Sequence, residues 1–175
     1  PLATLYLTND LNDAWDGAVH WSLETLDGEV LREGEVAVAV PALEAAQVCA
    51  LDFSDEVTDE NRREVVFVYA LYRDGERISR GVMPFAPNKH LKLVDPGLSS
   101  EVAETADGFA ITLSAERLAR FVWLNLEGED VIFSDNYFDL PAGRSVTVTA
   151  PALEGWTVED VRDALCVLSL VDSFR

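Results

Sequence analysis

Three of the four Asp-Gly pairs, Asp27-Gly28, Asp74-Gly75 and Asp107-Gly108, each lie between segments of alternating or β-rich character. Such a pair tolerates the positive φ that tight hairpin turns demand, so each marks a point where two antiparallel strands turn back on one another. A chain punctuated in this way is constrained to antiparallel sheet. The first-half strands are predicted at residues 3–8, 17–26, 30–40, 47–53, 64–73 and 76–85. In the second of them Val19, Trp21 and Leu23 share one face and His20, Ser22 and Glu24 the other, the pattern of a half-buried strand. Residues 64–73 are apolar on both faces, which predicts a central strand covered on both sides.

Six or seven short strands with turns every 8 to 12 residues or so point to an immunoglobulin-like sandwich. Pro84 and Pro87 stop the last of these strands, because proline cannot donate to a central ladder. The second half repeats the theme, with strands predicted at residues 89–94, 100–105, 109–114, 119–126, 130–135, 144–150 and 164–171. Thr157-Val158-Glu159-Asp160 has capping-box spacing and predicts one short helical turn before the last strand. The expected fold class is all-β, two immunoglobulin-like antiparallel β-sandwiches in tandem, over residues 1–88 and 89–175.

Charge removes several function classes. The formal net charge of −19 divides into −11 over residues 1–88 (6 Lys/Arg against 17 Asp/Glu) and −8 over residues 89–175 (7 against 15). Neither half offers a basic face to neutralise phosphates, so neither nucleic acid nor an anionic membrane surface is an expected partner. No apolar run approaches the ~20 residues of a membrane-spanning helix. Opening on Pro1 without Met, the chain reads as a segment of something longer. Cys49 and Cys166 each sit in apolar context in opposite halves and are expected as two buried free thiols, which points to a reducing, cytoplasmic setting.

The residues that carry chemistry do not assemble into a catalytic set. His20 and His90, the only histidines, have no Cys or His at metal-ligand spacing, and His20 is expected to face solvent. The acidic loop Asp52–Glu60 lacks the glycine and ligand order of an EF-hand and reads as a solvated loop. No phosphate-binding glycine loop or Gly-x-Ser-x-Gly elbow occurs. No catalytic residue, metal site or cofactor is expected. Among the aromatics, Trp21 and Trp123 fall in apolar strand patterns and are expected in the core. Trp15, placed in a turn, and Trp156, after Gly155, are the candidates for exposure and for stacking on a sugar ring.

The most specific stretch is Phe133-Ser134-Asp135-Asn136-Tyr137-Phe138-Asp139-Leu140-Pro141-Ala142-Gly143. With Asp95-Pro96-Gly97-Leu98, Leu118 to Leu124 and the closing Ser169 to Phe174, it resembles the carboxyl-terminal immunoglobulin-like domain of glycoside hydrolase family 2 β-mannosidases. The first half is similar to the sandwich preceding it in those enzymes, through Leu7-Thr8-Asn9-Asp10-Leu11, Gly17 to Leu26 and the Asp27-Gly28 turn. The resemblance implies a non-catalytic accessory region of an enzyme that removes terminal non-reducing β-D-mannose. The two catalytic glutamates of that family belong to an α/β barrel, for which this chain has no βα alternation, so the chain alone is expected to be inactive. The implied partners are the barrel of the same polypeptide and mannose-containing glycans. Asp135, Asn136 and Tyr137 join Trp15 and Trp156 as sugar-contact candidates. For all three the other reading is architectural: turn backbone satisfied by Asp and Asn side chains, and a Tyr anchoring a sandwich corner. A carbohydrate-binding module with an aromatic platform is the alternative function. If a barrel docks here, the acidic exterior is expected to contain one charge-poor, aromatic-rich patch.

Overall fold

The computed structural model describes residues 1–174. It has twelve strands and one short α-helix: β1 (Leu2–Thr8), β2 (Trp15–Thr25), β3 (Val30–Val40), β4 (Ala45–Asp52), β5 (Val65–Arg73), β6 (Glu76–Pro84), β7 (Ser99–Thr105), β8 (Gly108–Ser114), β9 (Ala119–Leu126), β10 (Phe138–Leu140), β11 (Ser145–Pro151), α1 (Val158–Ala164) and β12 (Leu165–Leu168). Two compact units result, Pro1–Thr25 with Glu29–Lys92, and Leu26–Gly28 with Leu93–Arg175. These three Asp-Gly pairs form the β2–β3, β5–β6 and β7–β8 turns, whereas Asp16-Gly17 lies within β2. Asp74 (φ 52°) and Gly75 (φ 82°) both adopt the left-handed conformation a two-residue hairpin requires.

The first unit sets a two-stranded β1–β4 sheet with a four-stranded sheet of order β3-β2-β5-β6, all antiparallel. As the sequence predicts, Val19, Trp21 and Leu23 are buried, and Phe53 lies among Trp21, Phe67 and Phe85 with ring centroids 5.5–6.0 Å away. Gly34, opposite Trp21 in the β2–β3 register, leaves room for the indole, since a Cβ there would lie 2.5 Å from the ring. β5 is internal and Val65 to Val68 are buried on both faces. The other face of β2 differs from its predicted exposure. His20 is exposed, but Ser22 and Glu24 are buried beside Val66 and Val68, and Ser22 Oγ donates to Glu24 Oε1. This end of the second face is therefore interior as well, shared with the buried Val66 and Val68 of β5. Asn9 closes the β1–β2 connection: its Nδ2 donates to Asp13 O (3.0 Å) and Pro41 O (2.9 Å), and its Oδ1 accepts from Leu11 N (3.0 Å).

The second unit packs a β11-β8-β7 sheet and a β10-β9-β12 sheet around Ile111, Leu113, Val122, Leu124, Leu140 and Val148. The predicted helical turn is α1, its capping box complete: Thr157 Oγ1 accepts from Asp160 N, and the Asp160 carboxylate accepts from Thr157 N. Two predicted strands are absent. Residues 89–94 begin as a 3-10 turn, Asn88–His90, after Pro87, and residues 130–135 form an irregular connection. The last strand ends at Leu168, where Asp172 accepts from Ser169 N (2.8 Å) and Oγ (3.0 Å) and winds Leu170–Phe174 into a 3-10 helix. Cys49 on β4 and Cys166 on β12 are free and half-buried, less covered than their apolar context predicts. Burial pushes the Cys49 thiol up, away from the reactive thiolate.

Candidate functional site

The Phe133–Gly143 stretch shows how the sequence builds one end of the second unit. Ser134 pairs with β11, its N–H donating to Thr149 O (2.9 Å) and its Oγ accepting from Thr149 N (2.9 Å). Asn136 pairs with β9 in the other sheet: Oδ1 accepts from Leu124 N (2.9 Å) and Nδ2 donates to Leu124 O (3.0 Å). Two residues apart, these side chains clip the two sheets together where β10 has not yet begun. Asp135 Oδ1 accepts from Asn136 N, and Asn136 Oδ1 also accepts from Tyr137 N. Asp135 and Asn136 thus hold backbone, whereas Tyr137 is 67% exposed at φ 59° and Phe138 turns into the core. Asn136→Asp replaces the amide donor facing Leu124 O with an acceptor. A loss of about 1–3 kcal/mol in unfolding free energy is expected, read by denaturant titration.

β9 carries one residue more than β10 across the next step, since Phe138 pairs with Val122 but Leu140 with Ala119. The bulge falls at Arg120–Phe121, with Phe121 at φ 51°. Arg120, whose side chain is only 6% exposed, donates through Nε to Asp139 Oδ1 (2.9 Å), and the same oxygen accepts from Phe121 N (3.1 Å). The guanidinium lies 5.1 Å from the centroid of the Phe121 ring. This buried pair was not legible in the sequence, because Arg120 and Asp139 lie 19 residues apart and meet only through the bulge.

Along β9, Val122, Leu124 and Leu126 point into the core and Trp123 and Asn125 alternate away from it. Trp123 is half-buried and does not pack in the core cluster, contrary to its predicted place. Its antiparallel neighbour on β12 is Leu168, 40% exposed. The signal was present: Asn125 shares Trp123's parity, which marks that face as outward.

Trp156 is half-buried, one edge against the second unit's core, and lines an open concavity of about 510 Å³ with Glu127, Glu154, Asp160 and Asp163. Asp160 is committed to the helix cap. The bonds from Thr157 Oγ1 (2.6 Å) and N (2.8 Å) hold its carboxyl below the usual carboxylate range. Thr157→Ala should return its titration upward toward the ordinary value, as followed by NMR. Trp15 belongs to the first unit and is not in a turn. It opens β2 opposite Val40, half-buried, with the Arg73 guanidinium 5.6 Å from its ring. Of the five aromatic and polar candidates, then, Trp15 is in one unit and Trp156, Asp135, Asn136 and Tyr137 are in the other, with Trp156 beside α1 and the remaining three leading into β10.

A glycosidase needs two opposed carboxyls about 5–10 Å apart, one held neutral by a raised pKa. Asp52, which accepts from Ser54 N and Oγ, and Asp160 are both held below the carboxylate range, the wrong direction for a general acid. Among the described residues no group of three or more His, Cys, Asp or Glu is placed to hold a metal ion.

The mannosidase Ig/CBM-like domain model matches residues 3–90, and the Ig-fold domain model of mannosidases matches residues 93–173. The chain belongs to the mannosidase immunoglobulin-like domain family. Beta-mannosidase B of Thermothelomyces thermophilus is 32% identical over 133 residues, 73% of this chain and 15% of that protein. The crystal structure of a β-D-mannosidase from Dictyoglomus thermophilum matches 97% of this chain and 20% of its own, with a TM-score of 0.84 and 20% identity, a likeness of fold. These mannosidase-type domains are the two tandem sandwiches expected from the hairpin pattern, and the chain spans a fifth or less of the relatives it matches. No helix among the described residues is long and apolar enough to cross a membrane.

Proposed function

We propose that this chain is the non-catalytic carboxyl-terminal region of a β-mannosidase, supporting a catalytic barrel in the same polypeptide that hydrolyses terminal non-reducing β-D-mannose residues. What carries this reading is the tandem of two mannosidase-type domains in a chain spanning 15% of Beta-mannosidase B. The arrangement of residues supports it, since the polar groups of the most specific motif, Ser134, Asn136 and Asp139, bind strands of their own unit. The division of labour falls at residues 1–88 and 89–175. The two unpaired thiols favour a reducing, cytoplasmic setting. The complete reading frame tests the proposal: a barrel with paired catalytic glutamates is expected in the same polypeptide, and a frame without one overturns it.

The concavity at Trp156 favours a second reading, carbohydrate binding, with the indole as stacking surface and Glu127, Glu154 and Asp163 as acceptors for sugar hydroxyls. Tyr137 offers an exposed ring to the same chemistry. Trp15, Asp135 and Asn136 are weaker contacts, being engaged by Arg73 or by backbone. Affinity electrophoresis through mannan decides it. Retardation lost in Trp156→Ala supports sugar binding, and unretarded migration excludes it.

A further inference from the structure

The outward face of the β10-β9-β12 sheet presents aromatic side chains to solvent. Trp123 lies at its centre beside Leu168, with Phe121 (39% exposed) in the β9 bulge and Tyr137 at the mouth of β10. Phe121 and Tyr137 both hold left-handed backbone, which bulky side chains adopt at a cost, and both use it to present rings outward. The face is also poor in free charge. Asn125 and Cys166 are its other paired members on β9 and β12, and Asp139, the carboxylate of β10, is paired with Arg120. The chain around it is strongly acidic, with a net charge of −19 and 32 acidic residues. Exposed apolar patches of this kind mark interaction surfaces.

We propose that this face, centred on Trp123 and flanked by Phe121, Tyr137 and Leu168, is where the catalytic barrel of the same polypeptide packs. The inference rests on the accessory-region reading above. The occupant follows from two observations. The matched relatives are at least five times as long as the matched segment, so a partner surface is joined to this unit at unit stoichiometry and high effective concentration. Apart from Asn125 and the Arg120–Asp139 pair its strand members are apolar, as suits a covered interface better than a solvated exterior. It therefore requires an apolar, aromatic-compatible counterpart.

Hydroxyl-radical footprinting tests the assignment by comparing the 175-residue chain with the product of its complete reading frame. Trp123 and Tyr137 should oxidise at least about fivefold more slowly in the complete polypeptide, as expected for residues moved into a buried interface core. Equal rates in a polypeptide that does contain a barrel overturn the docking assignment and leave the accessory role standing. A reading frame without a barrel removes both. Protection of the same residues in the 175-residue chain by mannohexaose would make the face a sugar platform, and protection that grows with chain concentration would make it a self-association surface. Either result also overturns the proposal.

Discussion

Asp139→Ala is expected to destabilise the second unit by about 3–5 kcal/mol, because it leaves the Arg120 guanidinium buried without its counter-charge. The pair is only 6% and 16% exposed, so solvent screening does little to soften the loss. Asp139 also accepts from Phe121 N, so the substitution frees the backbone of the bulge at the same time. Hydrogen exchange at the Ile111 and Leu113 amides reports on this unit directly. The double substitution Arg120→Met with Asp139→Leu should recover most of the loss, since well-packed apolar replacements for a buried ion pair are often neutral or better. A change below about 1 kcal/mol in Asp139→Ala would place the pair among solvated surface contacts instead.

Phe67→Ala should cost the first unit a comparable 3–5 kcal/mol or so, the range for emptying an aromatic site in a packed core. Phe67 is 1% exposed, and its ring lies 5.5 Å from Phe53, 5.7 Å from Tyr69 and 6.1 Å from Trp21. Removing it opens a hole bordered by three aromatic rings that cannot collapse together without leaving their own strands. Exchange of the Leu23 and Val65 amides measures the loss. Tyr137→Ser provides the contrast: its ring is exposed and should change the stability of this chain by no more than about 0.5 kcal/mol.

The hairpins were legible because Asp-Gly turns and alternation act locally, and β1 to β9 fall within about two residues of their predicted spans except where proline-containing residues 84–98 intervene. Residues 130–135 misled because Val131-Ile132-Phe133 has β propensity, yet Asn136 takes the place of a strand by bonding Leu124 with its side chain. Ser22 and Glu24 were misplaced for a different reason. Alternation within β2 says only that the two faces differ, while the burial of Val66 and Val68 on the adjacent β5 shows that this face is covered too. At the candidate site, the backbone duties of Asp135 and Asn136 followed from residue chemistry. Trp123 did not, because the apolar run Phe121-Val122-Trp123-Leu124 masks its period and only the polar Asn125, two residues on, marks the outward face.

Hydrolysis of 4-nitrophenyl β-D-mannopyranoside by the purified 175-residue chain tests most directly whether catalysis lies outside it. Release of nitrophenol should stay at the uncatalysed background at every concentration of the chain. Turnover above that background, abolished by substituting a carboxylate of this chain such as Glu154→Gln, would contradict the account.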